Sequence, residues 1–445
     1  MKGLVVILLI LAAGVTIAQE ALPINIETAL KLGGADNLTI REHRQQMELA
    51  VADLAKAREW WLPELYAGIQ THQLWGAAMN TDGRFGLDLN RDNLWMGLGL
   101  DLTWDFADGI YQTKASKYQL EAARHENQAD RNQALLEIID VYYLFASAQW
   151  SFQAYQELVA VADTITQQLK IQVDAGLRYH SEWLLANSNL RHMQVQMLNA
   201  KAVLGKSRAA LMRLLHLSPD VILVSLDSVI TPLQLLDPDT ETTASIMEDS
   251  VWTRRPEYLS RQFILKAFEV RKKTVNEGLL IPELRLSTYG SYFGALKGQV
   301  TPLQIEQHPE TQQLYSTAAL NIGLMWQVPL GRLTYGGSVK QHDAKIQLQK
   351  TSLLQVKAEI NEEVAAARED VSTLRDQVGI AQEGSQFAAE ALSQSIERQG
   401  LGTVRSFEIL QAQEILIRSK LDYIQAVARY NKAQYALRVA LGGNL

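Results

Sequence analysis

Few residues in this sequence could carry out chemistry, and none forms a recognisable catalytic arrangement. Residues 200–207, AKAVLGKS, match a relaxed phosphate-binding loop. Such a loop needs a flexible, glycine-rich turn between a strand and a helix, so that backbone amides can contact phosphate. The pattern around this match is helical, which argues against ATP binding. Asp101 and Asp105 lie on the polar side of a predicted strand, where no nucleophile accompanies them.

Metal chemistry and covalent chemistry are equally poorly supported. The eight histidines form no i, i+4 pair and no cluster with carboxylates at metal-ligand spacing. The chain has no cysteine, which excludes disulfides, thiolate ligands and an acylated N-terminal cysteine. The net charge of −7 argues against nucleic acid as a partner. We therefore predict no catalytic residue, no metal and no cofactor, and a protein that is not an enzyme.

The segment 1–18 resembles a secretory signal peptide. Lys2 is the only charge, an apolar run follows from Leu4 to Ile17, and a small residue, Ala18, ends the segment. The alternative is a membrane anchor, but a helix needs about 20 apolar residues to span a bilayer. No later segment is apolar enough for a transmembrane helix, so any passage through a membrane must use strands.

Very long helices dominate the rest of the pattern. The proline-free run from Thr334 to Gln399 has apolar residues in heptad steps between Ile360 and Ala381. At about 1.5 Å per residue such a helix would be roughly 100 Å long. Further helices are predicted over residues 25–61 with an interruption at Gly33-Gly34, and over residues 110–173, 180–216, 244–279 and 406–441.

Two pairs of strands are placed between these helices. The first pair is predicted at residues 65–75 and 94–106 around a polar loop, and the second at 284–293 and 320–330. From Leu94 to Phe106 every second residue is apolar, and the residues between are mostly polar or small. A soluble antiparallel strand explains this alternation, and so does a membrane strand with lipid on one face and water on the other.

The same organisation occurs twice along the chain. Trp104 and Gly109 recur, at the same spacing from each other, as Trp326 and Gly331. Toward the end of each repeat, eight pairs of positions related by one constant offset carry identical residues: Gly176/Gly402, Glu182/Glu408, Leu184/Leu410, Ala186/Ala412, Leu190/Leu416, Lys206/Lys432, Ala210/Ala436 and Leu211/Leu437. Internal duplication of this kind indicates a repeated structural unit, here helix, strand, loop, strand, very long helix, tight break and helix.

Four amphipathic strands cannot close a barrel, and lipid does not tolerate an open sheet edge. Small membrane barrels have about eight strands or more, so the chain would have to oligomerise to close one. Three chains would give 12 strands. The fold class that we predict is an α+β membrane protein with two internal structural repeats, in which each chain contributes four strands.

These features resemble those of the TolC-type outer membrane efflux proteins over essentially the whole chain after Ala18. The resemblance is carried by Pro63-Glu64-Leu65 and Pro282-Glu283-Leu284 at the strand entries, by the strand exits at Trp104 and Trp326, and by residues 402–412, GTVRSFEILQA. It implies a homotrimeric, 12-stranded transmembrane β-barrel on a long antiparallel α-helical periplasmic barrel. It also implies a passive exit duct of a tripartite efflux pump or type I secretion system, in the outer membrane of a Gram-negative bacterium.

The resemblance assigns roles to the two helix breaks. In this family they contact a periplasmic adaptor protein, which links the duct to an inner-membrane pump. The positions that correspond in this chain are Gly176, Leu177, Arg178, Gly400, Leu401, Gly402, Thr403, Val404 and Arg405. The glycines also have a local reason, since a tight turn between helices needs a positive φ. For Arg178 and Arg405 the alternative is a favourable charge near a helix end.

Family members often narrow the entrance with rings of carboxylates. The candidates here are Asp174, Glu182, Glu397 and Glu408. The first break differs from the second at two positions, with His180 in place of Ser406 and Trp183 in place of Ile409, and there it departs from the second break, whose residues carry the resemblance. Many members carry a lipid on an N-terminal cysteine, and this chain is expected to lack one.

The predicted domain boundaries are a signal peptide (1–18), N-terminal periplasmic helices (19–62), a first strand pair (63–107), a first helical hairpin (108–216), a connector (217–245), a second-repeat helix (246–281), a second strand pair (282–331), a second helical hairpin (332–441) and a tail (442–445).

The alternative function is a periplasmic adaptor or coiled-coil scaffold without a channel. Such a protein should have one hairpin flanked by compact β-domains, whereas this sequence has two hairpins and paired amphipathic strands.

Overall fold

The computed structural model describes residues 21–79, 85–218, 221–226, 231–235, 248–297, 314–326, 336–400 and 406–445. The predicted signal peptide, and the part of the second strand pair beyond Trp326, lie outside these ranges. Within them, no helix combines the length and the apolar character that a membrane span requires. The chain divides into two compact units. The helical unit comprises Met1–Gln46, His125–Leu259 and Leu354–Leu445, and the sheet unit comprises Met47–Arg124 and Ser260–Leu353.

The sheet unit contains four antiparallel strands. They are β2 (Glu64–Met79), β3 (Phe85–Trp104), β5 (Glu283–Lys297) and β6 (Leu314–Met325), in the order β2-β3-β5-β6. The first two strands are longer than the sequence predicted, because residues assigned to a loop at 77–93 pair in register, with Gln73 opposite Asp92 and Trp75 opposite Asn90. Backbone hydrogen bonds hold these polar residues in the sheet. Because such bonds do not depend on apolar side chains, no apolar alternation marks these residues in the sequence.

The register gives the sheet two chemically different faces. Residues opposite each other in antiparallel strands share a face, so Leu65 lies beside Leu100, and Ile69 beside Met96. The same face continues to the other strands, where Leu286 is opposite Leu102 and Ile322 is opposite Leu286. The alternation predicted for residues 94–106 therefore describes one continuous apolar face as far as Trp104, where β3 ends, whereas Phe106 belongs to the following helix.

Aromatic packing joins the strand ends to the helices within the sheet unit. A short 3-10 helix, Glu59–Trp61, precedes β2, and α3 (Phe106–Asp174) begins directly after β3. The ring of Trp60 packs edge-on against Phe106 and lies so close to Gly109 that a Cβ there would be 2.2 Å from it. Gly109 is thus required by close packing inside the first turn of α3. The sequence placed the start of this helix after that glycine, which is one turn too late.

The helical unit is built around the two hairpins. It also holds β1 (Ala21–Ile24), α1 (Ile26–Asp36) and β4 (Ile222–Ser225), with β1 parallel to β4. The helix α2 (Leu38–Ala57) starts after a break at Asn37, not at Gly33-Gly34 as predicted. Gly33 instead lies inside α1, where a Cβ would be 2.2 Å from a methyl carbon of Ile138. Glycine is therefore needed at this position for packing rather than for a turn.

Each hairpin has one long helix and one return helix. The first hairpin consists of α3 and α4 (His180–Leu214), and the second of α6 (Gly337–Gly400) and α7 (Ser406–Ala440). Between the repeats, α5 (Pro256–Asn276) begins at a proline, which occupies a first-turn position without losing a hydrogen bond. Along α6 the residues Ile360, Val364, Val371 and Val378 are buried, the first two in one hydrophobic cluster and the last two in another. Leu374 and Ala381 pack against the second cluster, and Ala367 packs against both. The predicted heptad is therefore the buried stripe of this helix.

Two buried amides of α7 hold the connector between the repeats. Asn431 accepts a hydrogen bond from the backbone N–H of Leu233 at 2.8 Å and donates to the carbonyl of Thr231 at 3.0 Å. Gln434 accepts from the N–H of Leu235 at 2.9 Å and donates to the carbonyl of Leu233 at 2.8 Å. The side chains thus satisfy backbone groups of residues 231–235 as a neighbouring strand would.

Candidate functional site

The first helix break forms a tight turn of the predicted kind. The helix α3 ends at Asp174, and Gly176 has a φ of +74°. The N–H of Gly176 donates to the carbonyl of Val173, and the N–H of Leu177 donates to the carbonyl of Gln172, which together make a Schellman motif. Leu177 is 75% exposed. The positive φ expected at Gly176 is confirmed, whereas contact with an adaptor remains a prediction.

A polar cluster links the two repeats beside this turn. The Nη1 of Arg178 lies 3.4 Å from Oε2 of Glu182, and the hydroxyl of Ser406 donates a hydrogen bond to the same carboxylate oxygen. The side chain of Arg178 is only 14% exposed, and its Nη2 has no hydrogen-bond partner within the described residues. Ser406 was noted in the sequence only as the counterpart of His180. Its contact with Glu182 has no sequence signal, because the two residues are 224 positions apart.

The remaining predicted residues of the breaks are distributed differently. Asp174, Glu397 and Glu408 are exposed, and Glu182 is half-buried. Gly400 is the last residue of α6, while Leu401, Gly402, Thr403, Val404 and Arg405 lie outside the described residues. Of the four candidate carboxylates, Glu182 is the one that the structure brings into the polar cluster. Their role in narrowing a pore stays a prediction.

The sheet carries a second group of side chains on its polar face. Tyr66 on β2 and Tyr289 on β5 are both opposite Gly99 on β3, and Trp95 lies on the same face of β3. The ring centroids of Tyr66 and Trp95 are 6.3 Å apart with the planes at 26°, and those of Trp95 and Tyr289 are 6.4 Å apart at 73°. One end of this group is acidic, since Glu64 is directly opposite Asp101.

The sequence match to a phosphate-binding loop does not have the geometry of such a loop. Residues 200–207 lie within the continuous helix α4, so their amides are used in helical hydrogen bonds and cannot form a phosphate cradle. In the described part of the chain, no three His, Asp or Glu side chains are grouped so that they could hold a metal ion. His180 instead contacts the ring of Trp183, with centroids 5.2 Å apart.

Comparison with known proteins gives a family match over part of the chain and a shared fold over most of it. Residues 33–216 match the family model described as outer membrane efflux protein. Among curated proteins, none matches the sequence closely enough to count as a relative. The match to the family model confirms the resemblance inferred from the sequence, and it supports a channel protein rather than an enzyme.

Several solved structures share the fold at low sequence identity. The outer membrane protein VceC of Vibrio cholerae has a TM-score of 0.72 at 16% identity, covering 94% of this chain and 96% of that one. The CmeC outer membrane channel of Campylobacter jejuni has 0.71 at 17%, covering 94% and 85%. The MtrE outer membrane channel of Neisseria gonorrhoeae, solved in an open state, has 0.72 at 15%, covering 94% and 89%. The fold class of helices with an antiparallel sheet is that of these channels.

Proposed function

We propose that this chain, a member of the outer membrane efflux protein family, is the passive exit duct of a tripartite efflux pump or type I secretion system. The observation that carries the proposal is the sheet with one apolar and one polar face. On the apolar face Leu65, Ile69, Ile322 and Leu324 are 69–73% exposed. A continuous apolar surface of this kind is costly in water and marks contact with a partner or a membrane. Lipid on this face leaves the polar face for a water-filled lumen.

The edges of the sheet support closure by further copies. β2 and β6 each have one neighbouring strand in the described part of the sheet. Unpaired backbone groups cannot be left in a bilayer, so each edge needs a strand from another chain. Pairing β2 of one copy with β6 of the next is a heterologous contact, which makes a ring when the rotation between copies closes. Three copies would give the 12-stranded barrel of a homotrimer.

The two helical hairpins differ in how many residues they bury, and this difference also fits a ring of several copies. Although α4 and α7 both have 35 residues, α7 buries about twice as many of them. The return helix α4 exposes Leu198 and Val203, and the long helix α6 exposes Ile380 and Phe387. Exposed apolar side chains on two different helices again fit a heterologous interface between copies, as a periplasmic helical barrel requires.

The partners follow from this assignment. The helix breaks at residues 176–178 and 400–405 would meet the hairpin of a periplasmic adaptor, and through it an inner-membrane pump. The exposed Leu177 supports an apolar contact at the first break. The candidate carboxylates Asp174, Glu182, Glu397 and Glu408 would narrow the entrance. The predicted signal peptide, residues 1–18, would direct the chain to the outer membrane of a Gram-negative cell, without lipidation.

Fractionation followed by analysis of the purified protein tests this proposal. We expect the full chain to be found in outer membranes, to need detergent for extraction, and to run as a trimer that dissociates on heating. The purified trimer should pass ions in a planar bilayer. A monomer released by osmotic shock without detergent would contradict the proposal, because the apolar face of the sheet would then have to be covered by protein.

A further inference from the structure

Three aromatic side chains on the polar face of the sheet, those of Tyr66, Trp95 and Tyr289, lie beside two glycines of β3. Gly97 and Gly99 are on the same face of β3 as Trp95. A Cβ at Gly99 would be 2.6 Å from the ring of Tyr66, so glycine is what lets this ring lie against the backbone. Tyr66 remains 38% exposed, and Trp95 and Tyr289 are half-buried. The result is an aromatic surface contributed by three strands.

Polar groups accompany the rings. Ser291, opposite Gly97, is 5% exposed, and its hydroxyl has no hydrogen-bond partner within the described residues. Glu64 and Asp101 are exposed and directly opposite each other, two positions from Tyr66 and Gly99 respectively. Packing against glycine accounts for the positions of the rings. It does not account for two carboxylates set side by side, since like charges opposite each other destabilise a sheet.

A bound cation would offset this repulsion, and aromatic faces attract the same kind of ligand. A cation is held by the negative face of Trp or Tyr rings, and a flat aromatic group stacks on them. We infer that Tyr66, Trp95 and Tyr289, together with Glu64 and Asp101, form a binding site for planar aromatic cations on the polar face of the sheet. The inference rests on the proposed function in one respect, that this face lines the lumen through which such molecules would pass.

The test is a binding titration of the full-length protein in detergent, followed by saturation-transfer NMR of the ligand. The probe is N-methylquinolinium, and the comparison ligands are tetramethylammonium, which has no ring, and quinoline, which has no charge at pH 8. We expect the wild-type protein to bind N-methylquinolinium more tightly than either comparison ligand. Equal binding of N-methylquinolinium and tetramethylammonium would overturn the inference on the wild-type protein alone.

Two sets of variants locate the site. Trp95→Leu should weaken binding of N-methylquinolinium by about fivefold, and Tyr289→Leu provides a second test on another strand. Trp75→Leu is the matched control, because Trp75 belongs to the same sheet but lies on the opposite face. The double variant Glu64→Gln/Asp101→Asn should weaken binding of N-methylquinolinium and leave that of quinoline unchanged. Unaltered binding in Trp95→Leu and Tyr289→Leu would contradict the site.

Ion conduction by the same preparation separates this inference from the proposed function. If the protein conducts ions but the Trp95 and Trp75 variants bind N-methylquinolinium equally, the aromatic site is refuted and the duct stands. If Trp95→Leu loses binding but no preparation conducts, the site stands and the duct is refuted. Each result therefore decides one of the two statements.

Discussion

The two return helices end in the same geometry but are held by different chemistry. At the end of α4 the N–H of His216 donates to the carbonyl of Arg213 and that of Leu217 to Met212; at the corresponding positions of the second repeat Gly442 donates to Val439 and Gly443 to Arg438. Both ends are Schellman motifs. The residue at the turn has a positive φ in each, +55° at His216 and +85° at Gly442.

The caps differ more than the turns. In the first repeat the buried amide of Asn37 donates to the carbonyl of Leu214 at 3.1 Å and accepts from the N–H of Thr39 at 2.8 Å. In the second repeat Arg255 donates to the equivalent carbonyl, that of Ala440, at 3.1 Å. Asn37 and Arg255 each directly precede a helix, α2 and α5. The two caps therefore lie at corresponding positions of the chain but differ in charge.

The positive charge of Arg255 also attracts two carboxylates, those of Glu257 and Glu363. Arg255 donates to both carboxylate oxygens of Glu257, at 2.9 and 3.1 Å, and to Glu363 at 2.8 Å. Burial on its own would lower the pKa of Arg255, but the hydrogen bonds and charges of Glu257 and Glu363 raise it above its usual value. Arg255 therefore joins the end of α7 to α6 as well as to α5, whereas the side chain of Asn37 joins α4 to α2.

The largest effect should come from removing this cation. Arg255→Met leaves two carboxylates and the carbonyl of Ala440 without their donor, and we expect a loss of about 3 kcal/mol of stability. Thermal unfolding in detergent measures it. Arg254→Met, which changes an exposed neighbour, is the matched control. Equal melting temperatures for the two variants would show that the second repeat does not depend on its charged cap.

A smaller loss is expected from a side chain at the second turn. Gly442→Ala forces a left-handed conformation on alanine and places its Cβ 3.0 Å from Cβ of Arg254. We expect a destabilisation of about 1–2 kcal/mol, measured by the same thermal unfolding. Gly443→Ala would be a poor control, because a Cβ there meets Arg438. Gly205→Ala, in open space within α4, should not destabilise the protein. An equal loss of stability in this variant would show that the loss in Gly442→Ala does not come from the positive φ of Gly442.

The neutral cap should cost less than the charged one. Asn37→Ala removes three hydrogen bonds and leaves the carbonyl of Leu214 unpaired, and we expect about 1 kcal/mol of destabilisation. Asn37→Asp sharpens the test, because aspartate keeps the acceptor for α2 but loses the donor for α4. An Asn37→Ala loss as large as that of Arg255→Met would contradict the stated difference between the repeats.

The smallest effect has the opposite sign. His216 adopts a positive φ that favours glycine, so His216→Gly should stabilise the protein by about 0.5 kcal/mol after the entropy cost of glycine. His216 is exposed, so its removal should cost little packing. A small rise in melting temperature is expected. A fall would contradict this prediction, because the imidazole would then contribute more stability than the backbone strain costs.

Much of the fold could be predicted from local pattern. The long helices were found because heptads repeat over many turns, as in residues 360–381, and the turn at Gly176 because few residues besides glycine tolerate its φ. The constant offset between identical residues, such as Gly176 and Gly402, predicted the duplication. The apolar side of the strand predicted at residues 94–106 also needed only alternation, although its end at Trp104 did not follow from it. Apart from the duplication, these features depend on residues close together in sequence.

The features that were missed depend on distant partners. The ends of β2 and β3 are set by cross-strand pairing, the break at Asn37 by a carbonyl of α4, and the cluster at Glu182 by Ser406. Arg255 gave no signal, because its partners Glu363 and Ala440 lie more than one hundred positions away. Of the candidate site, only the residues at the two helix breaks could be predicted, and their roles came from the family resemblance. The aromatic group of Tyr66, Trp95 and Tyr289 could not be predicted, because it depends on the register of three strands.

The central claim, that the polar face of the sheet lines a conducting lumen, is tested most directly with single cysteines. The natural chain has none, and the adjacent residues Gln70 and Ile69 are both exposed but lie on opposite faces. In planar bilayers a membrane-impermeant thiol reagent should reduce the current stepwise through Gln70→Cys and leave the current through Ile69→Cys unchanged. Absence of current, or equal inhibition of the two variants, would contradict the duct.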